Sequence, residues 1–204
     1  MATTPIEPLT ADAANPIAQE ENPLPGDLAM WVFILMELTV FALFFFSFAV
    51  IKRLEPELFL LGQATLHPAI GVICTLALIT SSYFVALAVI SIKQSNSKKT
   101  FFHLSTSILV ASIYLVAKMW EYVELGSAGY DLSTNMFYTF YFFTTFFHFM
   151  HVILGMFILI YMAIQTSKNT YSINNYDGFE AGACYWHMVD LVWIILFPII
   201  YVVH

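Results

Sequence analysis

The sequence predicts an all-α integral membrane protein with five transmembrane helices. Of its 204 residues, 60% are hydrophobic and 10% are charged, whereas soluble domains average about 45–50% apolar and about 25% charged residues. The apolar residues come in five runs of roughly twenty, the length that a helix needs to cross about 30 Å of hydrocarbon. This composition excludes a soluble enzyme. The formal net charge of −7 offers no basic surface for nucleic acid.

Residues 1–27 differ from the rest of the chain. They are polar and proline-rich, with five acidic residues and no lysine or arginine. A secretory signal needs a basic start, so we expect a mobile acidic tail rather than a cleaved signal. Residues 28–204 form the membrane domain.

The five spans follow in order, with short connections of at most about sixteen residues that leave no room for an extramembrane domain. Lys52 closes the first span, Pro68 suits the first turn of the second, and Pro198 is expected to kink the last. The predicted spans are 28–51, 68–92, 101–123, 135–165 and 180–203.

The loop charges predict the orientation. Lys52 and Arg53 lie on the side opposite the N-terminus. Four lysines lie in loops on the side of the N-terminus, namely Lys93, Lys98, Lys99 and Lys168. Because cytoplasmic loops carry the excess of Lys and Arg, we expect a cytoplasmic N-terminus and a C-terminus outside.

Ionisable residues inside the spans are candidate functional groups, since each is costly in hydrocarbon. Glu37 lies about 13 Å along the first helix from Leu28. It suits a protonated carboxyl bonded to a neighbouring helix, a proton-carrying or reagent-sensitive carboxyl, or a contact with lipid head groups or water. Lys118 and Glu121 are three residues apart on the third span, which predicts an ion pair.

Three histidines lie in the last two spans. His148 and His151 share a face of the fourth, and His187 is three residues before Asp190 in the fifth. This set suits a metal or haem site. It equally suits a hydrogen-bonded network in which Asp190 and Glu121 orient the imidazoles and hold the helices together. The spacing alone does not decide between the two interpretations.

Several segments closely resemble subunit III of the haem–copper oxidase superfamily, and the likeness covers residues 26–204. The most specific is the run Trp186-His187-Met-Val-Asp190-Leu-Val-Trp193, which matches the family's W-H-x-V-D-x-x-W. The other matching segments are Trp31 and Glu37 with Phe41, the pair Glu121-Tyr122, and Phe147-His148-Phe-Met-His151-Val152 followed by Gly155.

Some departures favour one branch of that family. Oxidase members usually carry glycines where this chain has Phe146 and Phe149, and Lys118 precedes the Glu121-Tyr122 pair. Lys118 at that position, the opening Leu24–Trp31 and the run Tyr185–Pro198 resemble the NorE-type accessory proteins of bacterial nitric oxide reductase, which we favour. The alternative is subunit III of an aerobic cytochrome c or quinol oxidase.

The resemblance implies a non-catalytic respiratory subunit that supports assembly, stability or proton supply in a bacterial plasma membrane. Its partners would be catalytic subunit I with subunit II or a cytochrome c subunit. The chain itself would bind no haem, metal or other cofactor. Its first two helices and the other three would form two bundles with phospholipid in the cleft between them.

The resemblance also assigns roles to residues. Glu37 corresponds to the family's carbodiimide-reactive carboxylate, which is associated with proton uptake by subunit I. The remaining set becomes a structural polar network, consisting of Lys118, Glu121, His148, His151, His187 and Asp190. Two interpretations from other classes stay open, a stand-alone haem or metal electron carrier and a proton-coupled transporter. The transporter would use Glu37 and Lys118, but the sequence has no internal repeat.

Overall fold

A computed structural model describes residues 28–171 and 176–203 of the chain. Five of its helices are long and apolar enough to cross a membrane, which confirms the predicted class. The predicted tail, residues 1–27, lies outside the described residues. The helices are α1 (Leu28–Leu54), α2 (Pro56–Gln63), α3 (Pro68–Lys93), α4 (Ser97–Ser127), α5 (Met136–Ser167) and α6 (Asp177–Phe197), and a π-helical turn at Pro198–Val202 continues α6.

Local capping explains where the spans begin. The Asn96 side chain accepts a hydrogen bond from the Lys99 amide at 3.2 Å, so α4 starts four residues before the predicted position. Asn135 caps α5 in the same way through the Tyr138 amide at 3.1 Å. Pro198 ends the regular hydrogen bonding of α6 and opens the π-helical turn, as its missing amide requires.

The short helix α2 was not predicted. Its residue Phe59 is fully buried between the rings of Phe48 and Phe137, with centroid distances of 5.0 and 5.4 Å. A Cβ on Gly62 would lie 2.2 Å from the Phe137 ring, so only glycine allows this contact. The helix is thereby packed against one end of α5.

The end of the last span is held by side chains from α1 and α2. Gln63 donates to the carbonyls of Ile200 at 2.8 Å and Val203 at 3.0 Å, and Lys52 also donates to the Val203 carbonyl. A helix terminus leaves backbone carbonyls without intrahelical partners. These two side chains satisfy them and place a positive charge at the negative end of the helix.

The helices do not divide into two and three as predicted. α3 packs mainly against α4 and also against α6, α5 packs against α4 and α6, and α1 lies outside this four-helix bundle against α5 and α6. The hydroxyls of Ser81 on α3 and Ser107 on α4 are 2.7 Å apart and each is 3.1 Å from the other's carbonyl, so one hydroxyl donates to the other and the second donates to a carbonyl. Small hydroxyl-bearing residues allow the backbones of α3 and α4 to approach closely, which explains their pairing.

Candidate functional site

A fully buried ion pair lies between α4, α5 and the end of α6. The Lys118 ammonium donates to the Glu121 carboxylate at 2.7 Å, to the Tyr201 hydroxyl at 2.8 Å and to the Tyr141 hydroxyl at 3.2 Å. Tyr201 in turn donates to Glu121 at 2.7 Å. The side chains of Lys118 and Glu121 are 0% and 1% exposed. All three ammonium donors therefore have partners, the condition under which a buried charge is tolerated.

Aromatic rings surround this ammonium group. The Lys118 nitrogen lies 5.1–5.5 Å from the ring centroids of Tyr122, Tyr141, Trp193 and Tyr201. For Tyr122 and Trp193 this distance falls within the range of a cation–π interaction, which is stronger in a desolvated site, whereas Tyr141 and Tyr201 meet the ammonium with their hydroxyls. We call Lys118, Glu121, Tyr141 and Tyr201 the lysine cluster. Its arrangement holds charge in place and joins three helices.

A second polar pair joins α1 to α5. Glu37 Oε2 and His151 Nε2 are 3.0 Å apart, with side-chain exposures of 20% and 12%. His151 Nδ1 is 2.8 Å from the Phe147 carbonyl and must donate to it. Either a protonated Glu37 then donates to Nε2, or a charged His151 donates to the carboxylate. In both forms one proton lies between the two groups and the pair is neutral.

His187 and Asp190 have partners on α3 rather than on α5. His187 Nδ1 is 2.6 Å from the Ser82 hydroxyl, and Ser82 is also close to the Asp190 carboxylate. Asp190 is 8% exposed, and its Oδ1 has no hydrogen-bond partner among residues 28–171 and 176–203. This group holds α3 against α6.

His148 is fully buried and makes ring contacts only. Its ring stacks on Trp193 with a centroid distance of 5.2 Å and is perpendicular to Tyr114 at 5.8 Å. Phe41 of α1 contacts both His148 and His151, at 6.2 and 5.4 Å. Within the described part of the chain, neither ring nitrogen of His148 has a hydrogen-bond partner.

A groove opens along α6, between that helix and α3. It has a volume of about 330 Å³, and the small side chains of Ala86 and Ala183 line it together with His187. At its mouth Lys93 and Glu180 form an ion pair of 2.6 Å. The groove combines an apolar floor with charges at one membrane surface.

The structure thus places the predicted residues in three separate polar groups, with His148 outside all three, instead of one network. The Lys118–Glu121 pair forms as its spacing predicted. Glu121 does not orient an imidazole, because it bonds to Lys118 and Tyr201, and the carboxylate that meets His151 is Glu37. Asp190 is linked to His187 only through Ser82. Across residues 28–171 and 176–203, no three His, Cys, Asp or Glu side chains are grouped as metal ligands.

Sequence reasoning missed Tyr141, Tyr201 and Ser82 as site residues. A buried lysine needs three acceptors and Glu121 provides only one, so hydroxyls at the same membrane depth are the expected further acceptors. Tyr201 lies at the end of the fifth span and Tyr141 near the start of the fourth, at the membrane side where the third span ends. Because both tyrosines lie at the same membrane depth as Lys118, the sequence could have identified them as candidate partners. Nothing in the sequence identifies Ser82 as one.

Comparison with known proteins identifies relatives over nearly the whole chain. The family described as cytochrome c oxidase subunit III matches residues 26–204. The heme-copper oxidase subunit I+III of Aeropyrum pernix is 31% identical over 193 residues, which are 90% of this chain and 24% of that protein. The cytochrome c oxidase subunit 3 of Drosophila melanogaster is 31% identical over 179 residues, or 84% of this chain and 67% of the relative. That of Prototheca wickerhamii is 32% identical and covers 88% and 71%.

Proposed function

The chain belongs to the cytochrome c oxidase subunit III family, and on this basis we propose that it is a non-catalytic subunit of a haem–copper oxidase complex in a respiratory chain. The family match over residues 26–204 carries this proposal, because it includes all five spans. One relative is named as a fusion of subunits I and III. This supports catalytic subunit I, with subunit II or a cytochrome c subunit, as the partner.

The names of the relatives support an oxygen-reducing complex. The relatives reported above are named as cytochrome c oxidase or heme-copper oxidase subunits, and this favours the subunit III alternative over the NorE type. The nitric oxide reductase branch stays a second candidate on the strength of Phe146, Phe149 and Lys118. Of these, Phe149 is buried and Lys118 forms the lysine cluster, so both departures are built into the core.

The Glu37–His151 pair supports a role in proton supply. The pair holds one proton while remaining neutral, and both groups are slightly exposed at the side of α1. A neutral pair is less costly in hydrocarbon than a lone carboxylate. We infer that it exchanges protons with the catalytic subunit while the lysine cluster, with no exposed charge, keeps the helices in position.

The groove along α6 is our candidate for the predicted phospholipid site. The Lys93–Glu180 pair would contact the lipid head group on the membrane side of the protein's N-terminus, and the apolar floor near Ala183 would bind an acyl chain. With the loop lysines on the same side, we propose a plasma-membrane subunit of a bacterium with its N-terminus in the cytoplasm.

Purification of the tagged chain from its native membrane in mild detergent tests the proposal. We expect a large haem-bearing partner to co-purify, with none of the haem signal in the reduced-minus-oxidised spectrum remaining on the separated chain. Membranes with the untagged chain are the control. Oxygen and nitric oxide consumption by the purified complex then distinguish the two branches.

Two outcomes would contradict the accessory role. A haem spectrum that stays with the isolated chain would favour an electron carrier with histidine ligands. A chain that purifies alone, without a spectrum, would favour a transporter or a transient assembly factor. Deleting the chain should reduce turnover of the complex without removing its haem, and unchanged turnover would exclude a role in proton supply.

A further inference from the structure

A layer of polar atoms in the bundle interior has no hydrogen-bond partner in the part of the chain that the structure describes. The atoms are the Tyr114 hydroxyl, the Thr144 hydroxyl and both ring nitrogens of His148. Tyr114 and His148 are 0% exposed and Thr144 is 2% exposed. Buried polar groups in native proteins are almost always bonded, to protein or to ordered water.

These groups lie side by side. Thr144 and His148 are one turn apart on α5 and share a face. The Tyr114 ring on α4 is perpendicular to His148 at 5.8 Å, and Trp193 of α6 contacts both rings at 5.0 and 5.2 Å. Tyr114 and His148 each lie about 18–20 Å from the nearer end of their helix, too deep for direct contact with bulk water.

Thr144 and Thr145 differ in the hydrogen bonds of their hydroxyls. The Thr145 hydroxyl donates to the Tyr141 carbonyl of its own helix at 2.6 Å, the usual arrangement for a threonine inside a membrane helix. Thr144 makes no such bond. Its hydroxyl is therefore left for another partner.

We propose that ordered water is bound between α4, α5 and α6 by Tyr114, Thr144 and His148. Each hydroxyl can donate and accept once or more, and a neutral imidazole has one donor and one acceptor. A buried water makes about three hydrogen bonds to such groups. One or two molecules therefore match the four atoms. The site lies beside the lysine cluster, since Trp193 contacts both His148 and Lys118. It does not depend on the proposed function.

Hydroxyl-radical footprinting with millisecond X-ray pulses tests this on the unmodified protein as purified from its membrane. Bound water generates radicals in place, so we expect Tyr114 to be labelled several-fold faster than Tyr185. Tyr185 is the matched control because it is 1% exposed and its hydroxyl donates to the His151 carbonyl at 3.3 Å. Equal labelling of the two tyrosines would overturn the proposal.

A second test uses the sign of a stability change. If Tyr114 binds water, Tyr114→Phe removes a hydrogen bond and should lower the Tm by about 2–4 °C, as we also expect for Tyr185→Phe. If the interior is dry, Tyr114→Phe removes a hydroxyl without a partner and the Tm stays level or rises, which would refute the water site. The footprinting result stands even if a variant fails to fold.

Discussion

Replacing Lys118 with methionine tests the buried ion pair directly. Methionine keeps the length and apolar stem of lysine but removes the ammonium group. The Glu121 carboxylate, 1% exposed, would then keep the Tyr201 hydroxyl as a hydrogen-bond donor but no positive charge at bonding distance among the described residues. Breaking a buried pair from one side costs about 3–5 kcal/mol because the other charge stays buried. For a chain of this size that predicts a fall in Tm of about 6–20 °C.

A double variant tests whether the loss of stability comes from the unpaired Glu121 charge. With Glu121→Gln added to Lys118→Met, no unpaired charge remains, and a neutral pair of similar volume is often as stable as the ion pair. We therefore expect the double variant to recover most of the loss. This non-additivity is what two side chains in contact should show.

Lys93 provides the matched control. Its ion pair with Glu180 is equally short at 2.6 Å, but the lysine side chain is 49% exposed. Exposed pairs contribute about 0–1 kcal/mol, so Lys93→Met should lower the Tm by no more than about 4 °C. Thermal unfolding in mild detergent, followed by tryptophan fluorescence, measures these three variants and the Glu121→Gln single variant. Equal shifts for Lys93→Met and Lys118→Met, or a double variant as unstable as the sum of the singles, would refute the reasoning.

Three further predictions concern other parts of the chain. Glu37→Gln should leave the Tm nearly unchanged, because an amide can still donate to His151. A water-soluble carboxyl reagent that labels Glu37 freely at neutral pH would contradict its place in the hydrogen-bonded pair with His151. Gly155→Ala should lower the free energy of unfolding by about 1–3 kcal/mol, since the new Cβ would lie 2.8 Å from an indole ring. Gly126→Ala is the control: its Cβ meets open space, so thermal unfolding should show no change or a slight stabilisation. Hydrogen bonds from the serine two residues later and the threonine three residues later lower the pKa of Asp131. The contribution of Asp131 to stability is therefore complete above the usual aspartate pKa and is lost as pH falls through the lowered pKa. An NMR titration of Asp131 measures this pKa, and an ordinary value would contradict the prediction.

Properties that depend on one helix at a time were predictable from the sequence. Length and hydropathy located all five spans, and the i, i+3 spacing of Lys118 and Glu121 gave their ion pair. The eight-residue α2 was missed because it is too short for a hydropathy signal. Its start was nevertheless marked, since Pro56 and Glu57 are both favoured in a first helical turn.

Contacts between helices were not predictable from spacing. Glu37 and His151 are 114 residues apart in sequence, and the partners of His187 and His151 lie on helices that spacing arguments had not paired with them. A histidine can bond to any carboxylate or hydroxyl at its depth, and several spans offer one. The choice depends on which helices are neighbours, so an error in helix pairing carries over to the polar groups.

Which helices pack together follows from the size of their buried side chains, and the order of the helices along the chain does not show this. α3 buries small residues along its length, among them Gly71, Cys74 and Ser81, whereas the buried residues of α1 are Ile34, Phe41 and Phe48. Membrane helices associate most closely where small residues let the backbones approach. α3 is therefore suited to the interior of a bundle and α1 to a position outside it, connected through large side chains. The family resemblance had implied that α1 and α3 belong to one bundle, but adjacency in sequence supplies no packing energy in a bilayer. The same reasoning explains why the Glu37–His151 pair on α1 is partly exposed while the lysine cluster between α4, α5 and α6 is not.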